Sequence, residues 1–229
     1  MTNLQGMNNT VYPEKFLSWA ASFRTGEDAV SRSLAGYAAA IALADEPCLD
    51  RAVRLGRDHS VGHSGFYEIV LQSYLFLGFP RMLLAAEHLA GCFSDVCMPP
   101  QTKAVTTDES HRWYQNGMAL CERVYGDSFE PLREHVESVA PEVFRWMIVE
   151  GYGKVLSRPG LTAVDRELAV VASLLIDNRP RQLHSHLKGA SNVGADTDLI
   201  RRIIEDHKET APTGYRTAVS MLDRINGSC

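Results

Sequence analysis

With 229 residues, a formal charge of −5 and a pI near 5.9, the chain is long enough for one domain or two small ones. It has no Lys/Arg block of the kind a nucleic-acid surface needs. Its five cysteines (Cys48, Cys92, Cys97, Cys121, Cys229) include no C-x-x-C pair, which reads as a reduced, cytoplasmic chain without a disulfide framework.

The start, MTNLQGMNNT, lacks the basic and apolar segments of a secretory signal and is expected to be a disordered tail over 1–10. From there the apolar spacing is helical, with turn signals about 12–20 residues apart and no sustained alternation, so the fold class is all-α. The first stretch, 11–93, predicts helices over 13–24, 27–45, 48–58, 65–77 and 80–92. Its longest apolar run, AGYAAAIALA at 35–44, is well short of the roughly 20 residues that span a bilayer, so no membrane partner is expected. The segment 94–108, SDVCMPPQTKAVTTD, holds Pro99-Pro100 and is the predicted linker. The second stretch, 109–229, predicts helices over 109–125, 128–136, 140–153, 163–177, 180–192, 197–208 and 213–225. Thr162 with Asp165, and Asp196 after Gly194, are cap signals at two of these starts.

The two stretches align at an offset of 134: Arg32 with Arg166, Leu34 with Leu168, Ala35 with Ala169, Ala38 with Ala172, and Leu49 with Leu183. A gap of about two residues then brings Gly62 opposite Gly194. The expectation is two similar helical units in tandem. Helix 163–177 is apolar almost all round and should be a buried central helix.

Chemistry concentrates at 157–194, where Glu167 and His186 lie on consecutive helices joined by a short turn and can meet across an antiparallel seam. A carboxyl set among Ala and Val is partly desolvated, which suits it to hold or relay a proton. Read from the residues alone, Glu167 is first an ordinary partner of Arg166 or a helix-start carboxylate, and His186 a satisfied histidine. Other groupings are weaker. Gly62 interrupts the His59/His63 pair, His184 and His186 face different sides of one helix, and no metal site is expected. Trp113, Tyr114 and Trp146 read as core aromatics.

The segment SRPGL, an R-E-L helix start, L-x-x-H and a closing N-x-G at 157–194 together resemble the carboxymuconolactone decarboxylase family and the related alkyl hydroperoxidase D-like proteins. The G-M-x-x-x-x-x-V-x-G-D signature within 112–161 and YLFLGFPRMLLAAEHL at 74–89, similar to the family's closing Y-x-G-x-P helix pair, extend the likeness. The resemblance implies an alkyl hydroperoxidase D-like helical fold and makes Glu167 and His186 the catalytic proton pair. It also implies no cofactor, a small carboxylate or lactone as substrate, and a homo-oligomer, a trimer if two units are fused. Tyr74, Phe76, Leu77 and Phe79 are the expected interface. Arg158 and Arg166 are the candidate substrate-binding cations.

The chain departs from the peroxidase branch, whose C-x-x-C falls here on Arg179 and Gln182. In the first stretch Ser33 stands for Glu167, Ala52 and Arg51 are nearest to His186, and Cys48 aligns with Gln182, so that site reads as degenerate. His207, Lys208 and Glu209 replace an apolar closing segment and are expected to leave the second pocket more polar. Three readings follow: a decarboxylase-like lyase, a non-catalytic scaffold of the same fold, and a thiol peroxidase using Cys48 or Cys121, which the missing C-x-x-C disfavours.

Overall fold

The computed structural model describes residues 10–24, 26–96 and 104–227. All but Thr10 of the expected tail, the centre of the expected linker, Cys97 and Cys229 lie outside the described residues. Among the described residues the chain is helical with no strand. The helices are α1 (Pro13–Ser22), α2 (Ala29–Leu43), α3 (Glu46–Asp58), α4 (His63–Cys92), α5 (Thr107–Tyr125), α6 (Phe129–Val139), α7 (Pro141–Trp146), α8 (Ala163–Ile176), α9 (Pro180–Asn192), α10 (Thr197–Asp206) and α11 (Pro212–Gly227). A π-helical stretch, Met147–Leu156, continues α7 without a break.

Local chemistry sets these boundaries. Side-chain oxygens of Asp45, Thr106, Thr162 and Asp196 accept from the first free amides of α3, α5, α8 and α10. At α5, Glu109 returns a bond to the Thr106 amide, completing a capping box and starting the helix two residues before the expected 109. The helices expected over 65–77 and 80–92 form one element, α4, interrupted where Gly78 adopts φ 80 and ψ 165 ahead of Pro80. By length and composition α4 could cross a bilayer, but the break leaves two pieces each shorter than the roughly 20 residues required.

At the centre α2 and α8 run side by side in the same direction. Ser31 Oγ donates to Asp165 at 2.7 Å and Ser173 Oγ to the Ala38 carbonyl at 3.3 Å. Every residue of α8 from Arg166 to Ile176 is buried, as its all-round apolar surface requires. The offset of 134 recurs in these contacts. Ser31 meets its own counterpart, Asp165. Arg32 bonds Asp206 of α10, and its counterpart Arg166 is bonded to Gln72 of α4, at 3.2 Å. Through the second pair α4 is fastened across α8.

A second, smaller core joins α5, α6, α7 and the π-helical stretch around Cys121, Phe129, Phe144, Ile148 and Tyr152. Here two backbones touch. A Cβ on Gly117 would overlap the Ile148 carbonyl oxygen, and one on Gly153 the Trp113 carbonyl oxygen. Of the aromatics expected in the core, Tyr114 is 45% and Trp146 63% exposed, while Trp113 is half-buried beside the Lys154 ammonium. Aromatic residues at helical positions mark a helix but not the side of it that faces inward.

Candidate active site

The turn between α8 and α9 sets the site. Asn178 takes a left-handed conformation (φ 52), the Arg179 amide donates back to the Leu174 carbonyl, and Pro180 opens α9. With so short a link the helices lie antiparallel, and His186 Nδ1 meets Glu167 Oε2 at 2.8 Å. Both residues are 3% exposed. Gly189, one turn beyond His186, makes the approach possible, since a Cβ there would stand 2.8 Å from Glu167 Oε2 and 2.8 Å from Val124 Cγ1. At the end of α9, Asn192 donates to the Val124 carbonyl at 2.9 Å and ties the helix to α5.

His186 opens onto a cavity of ≈ 600 Å³ between α4, α5, α6, α7, the π-helical stretch and α9. The Phe76 ring stands edge-on to the imidazole with centroids 5.1 Å apart, fixing the ring plane. Tyr125 and Tyr152 form an adjacent wall. Burial pushes the Tyr125 hydroxyl up to about 12 and the buried Tyr152 hydroxyl well above its ordinary value, so both stay protonated. Glu150 lines the cavity while accepting from Tyr74 at 2.7 Å and Lys154 at 3.2 Å. Arg181, Gln182, Ser185 and His135 add to its polar lining.

The four expected site residues separate into two pairs. Glu167 and His186 meet as expected. Arg158 and Arg166 do not join them, because both are spent on one buried carboxylate: Glu68 accepts from Arg158 at 3.0 Å and from Arg166 at 2.8 Å. Neither arginine lines the cavity, and Arg181 is the cation that does. The expected polar closing segment is also corrected. His207 is 1% exposed, packed against Phe16 and Trp19 of α1, and lies away from the pocket. Closure comes instead from the first half of the chain, where Leu75 and Phe76 of α4 cover the cavity.

In the first half, Ser33 Oγ donates to the Ala29 carbonyl, Cys48 Sγ lies 3.6 Å from the Pro13 carbonyl and Arg51 donates to the Ala20 carbonyl. Helix α1 covers these positions, with Trp19 tight over Gly36. Both candidate redox thiols are buried. Desolvation raises Cys48 far above its ordinary value and Cys121 to about 12, the opposite of what a nucleophilic thiolate needs. Sequence reasoning did not single out Tyr125, Tyr152 or Glu150. Nothing in the spacing said that they share a wall.

Residues 141–211 match the model of the carboxymuconolactone decarboxylase family. This segment is a carboxymuconolactone decarboxylase family domain. It contains Glu167, His186, Arg181 and the π-helical stretch, and thus the greater part of the cavity's polar lining. Curated relatives include Peroxisomal protein 2 of Saccharomyces cerevisiae, 24% identical over 162 residues, or 60% of this chain and 57% of that protein. Peroxisomal protein 2 of Schizosaccharomyces pombe is 25% identical over 135 residues, or 58% of this chain and 62% of that protein. The chain thus spans about three fifths of the length of the relatives it matches.

Proposed function

We propose that the chain is a cofactor-independent acid–base enzyme of the carboxymuconolactone decarboxylase type, acting on a small carboxylate or lactone. The observation that carries this reading is the buried 2.8 Å bond between His186 Nδ1 and Glu167 Oε2 beside a cavity that His186 itself lines. With Nδ1 engaged, Nε2 is the ring nitrogen left to exchange a proton with a bound molecule. The carboxylate accepts from Nδ1–H, orients the ring and stabilises the imidazolium form.

In a decarboxylation the bond from carbon to carboxylate breaks, its electron pair enters the conjugated lactone, carbon dioxide leaves and the carbon takes a proton. His186 Nε2 supplies that proton. Arg181, which lines the cavity, would hold the carboxylate, and the protonated Tyr125 and Tyr152 line the space where an enolate oxygen would form. Tandem units are part of the proposal. They are supported by the contact of Ser31 with its counterpart Asp165 and by the delivery of Leu75 and Phe76 to a cavity built mainly by the second half.

The test is incubation with a panel of carboxylated lactones and related keto acids, followed by carbon dioxide release and by deuterium uptake from solvent at the reacting carbon. Glu167→Gln and His186→Asn are expected to lower either rate by at least about 100-fold, within the usual range for a general acid–base group. Wild-type activity should follow a bell-shaped pH profile. Tight binding without turnover or exchange in the wild type favours the scaffold reading instead, for which the covered first-half site is the supporting observation.

A further inference from the structure

On the opposite half of the molecule a second cleft, ≈ 690 Å³, lies between α3 and α4 and is lined by Glu46, Asp50, Glu87, His88 and Cys92 among others. His88 and Cys92 are four residues apart on α4, so they share one helix face, and Asp50 reaches them from α3. His88 Nε2 is 3.0 Å from Asp50 Oδ1, and Cys92 Sγ is 3.8 Å from Nδ1 and 3.9 Å from Nε2. One ligand atom from each of the three residues falls within 4.8 Å of the others. A tetrahedral ion with bonds of about 2.0–2.3 Å needs its ligand atoms roughly 3.3–3.6 Å apart, so the pairing is close before any adjustment.

We infer that Asp50, His88 and Cys92 form a binding site for a borderline-soft divalent cation of the zinc type. The donor set decides the class. One thiol, one imidazole and one carboxylate suit zinc or cobalt, whereas magnesium and calcium demand oxygen throughout. The geometry requires two small changes. The ion inserts between Nε2 and Oδ1, which are now in direct contact, and Cys92 turns about its side-chain bond toward Nε2. Asp50, with its side chain 51% exposed, is free to retreat. Glu46, one turn before Asp50 on α3, and Glu87, beside His88, border the same cleft and give a fourth oxygen or a hydrogen bond to a bound water. Arg54 and Arg57 act on Cys92 from α3 and oppose the cation's charge. The site therefore depends on coordination by the thiolate, and Cys92 releases its proton as the metal–sulfur bond forms.

This site shares no residue with the Glu167/His186 cavity, so the inference stands or falls apart from the proposed activity. The full chain is titrated with cobalt(II) under reducing conditions, and zinc affinity is then measured by competition with a chromophoric chelator. The expected result is one equivalent bound, with a near-ultraviolet thiolate-to-cobalt charge-transfer band that zinc abolishes. Cys92→Ser should remove the band. His88→Ala should weaken zinc by more than the roughly 10–100-fold that loss of an outer-shell partner costs. Cys48→Ser and His186→Asn should leave both readouts unchanged. Absence of the band, its persistence in Cys92→Ser, or equal zinc affinity in wild type and His88→Ala overturns the site and leaves Asp50–His88 an ordinary ion pair beside a thiol.

Discussion

At the scale of single residues, the candidate site depends on an atom that is not there. Gly189 has no side chain, and the space a Cβ would need is held by Glu167 Oε2 and Val124 Cγ1. Gly189→Ala is a small change that acts directly on the proton pair. It gains up to about 1 kcal/mol of helix propensity. It also forces an overlap costing roughly 1–3 kcal/mol unless Glu167 moves. The thermal midpoint should therefore shift little, while the Glu167–His186 bond is displaced. If the pair is catalytic, the rate on a substrate found by the panel should fall by something approaching 100-fold, the loss that a misplacement of about 1 Å can cause. An unchanged rate would mean that the bond is structural. The same logic explains why Arg158 and Arg166 misled the sequence reading. An arginine beside a candidate acid looks like a substrate clamp until Glu68, about a hundred positions away in sequence, is found to hold both.

At the scale of elements, signals local in sequence survived folding and signals about direction did not. Thr162, Asp196, Pro180 and the Gly78–Pro80 pair each fix their own backbone, so the starts of α8, α9 and α10 and the break in α4 were legible. The Glu167–His186 contact was legible for a related reason, since a short turn forces two helices together. What could not be read was which side of α5 and α7 faces inward. That depends on the π-helical stretch Met147–Leu156, whose wider winding turns Glu150 and Tyr152 toward the cavity and leaves Trp146 at its rim. Gly117 and Gly153 hold that stretch against α5 by backbone contact. Gly153→Ala cannot be relieved by rotating a side chain, because the obstacle is the Trp113 carbonyl. It should destabilise the protein by about 2–3 kcal/mol, visible as a lower denaturant midpoint, with loss of the near-ultraviolet signal of the Tyr125–Tyr152 wall. A wild-type midpoint would show that α5 and the π-helical stretch can separate freely.

At the scale of the whole molecule, two properties can be predicted. The first is self-association. Of the residues expected at an interface, Phe76 packs on His186 and lines the cavity, Leu77 packs on the core and Tyr74 is tied to Glu150. Phe79 is left 60% exposed, with Leu83 at 53% and Leu84 at 42% on the same part of α4. Such a strip calls for a partner. Light scattering is expected to give a trimer of the 25.4 kDa chain, and Leu83→Asp should dissociate it. The second is the response to acid. His207 is buried against Phe16 and Trp19, and neither ring nitrogen has a hydrogen-bond partner among the described residues. Burial lowers its pKa from 6.5 to about 4, with nearby Asp206 and Arg32 acting in opposite senses. Between those values the unfolded chain binds a proton that the folded chain refuses, so stability is complete above about pH 6.5 and declines as pH falls toward 4. The full interval corresponds to about 3 kcal/mol, and below it this residue adds no further slope. His207→Phe keeps the ring packing and removes the titration. Its denaturant midpoint should match or exceed that of the wild type at neutral pH, since no unpaired ring nitrogens remain buried, and should fall much less between pH 6.5 and 4. If the two proteins lose stability in parallel across that range, His207 is not the source of the acid sensitivity and the burial argument for it fails.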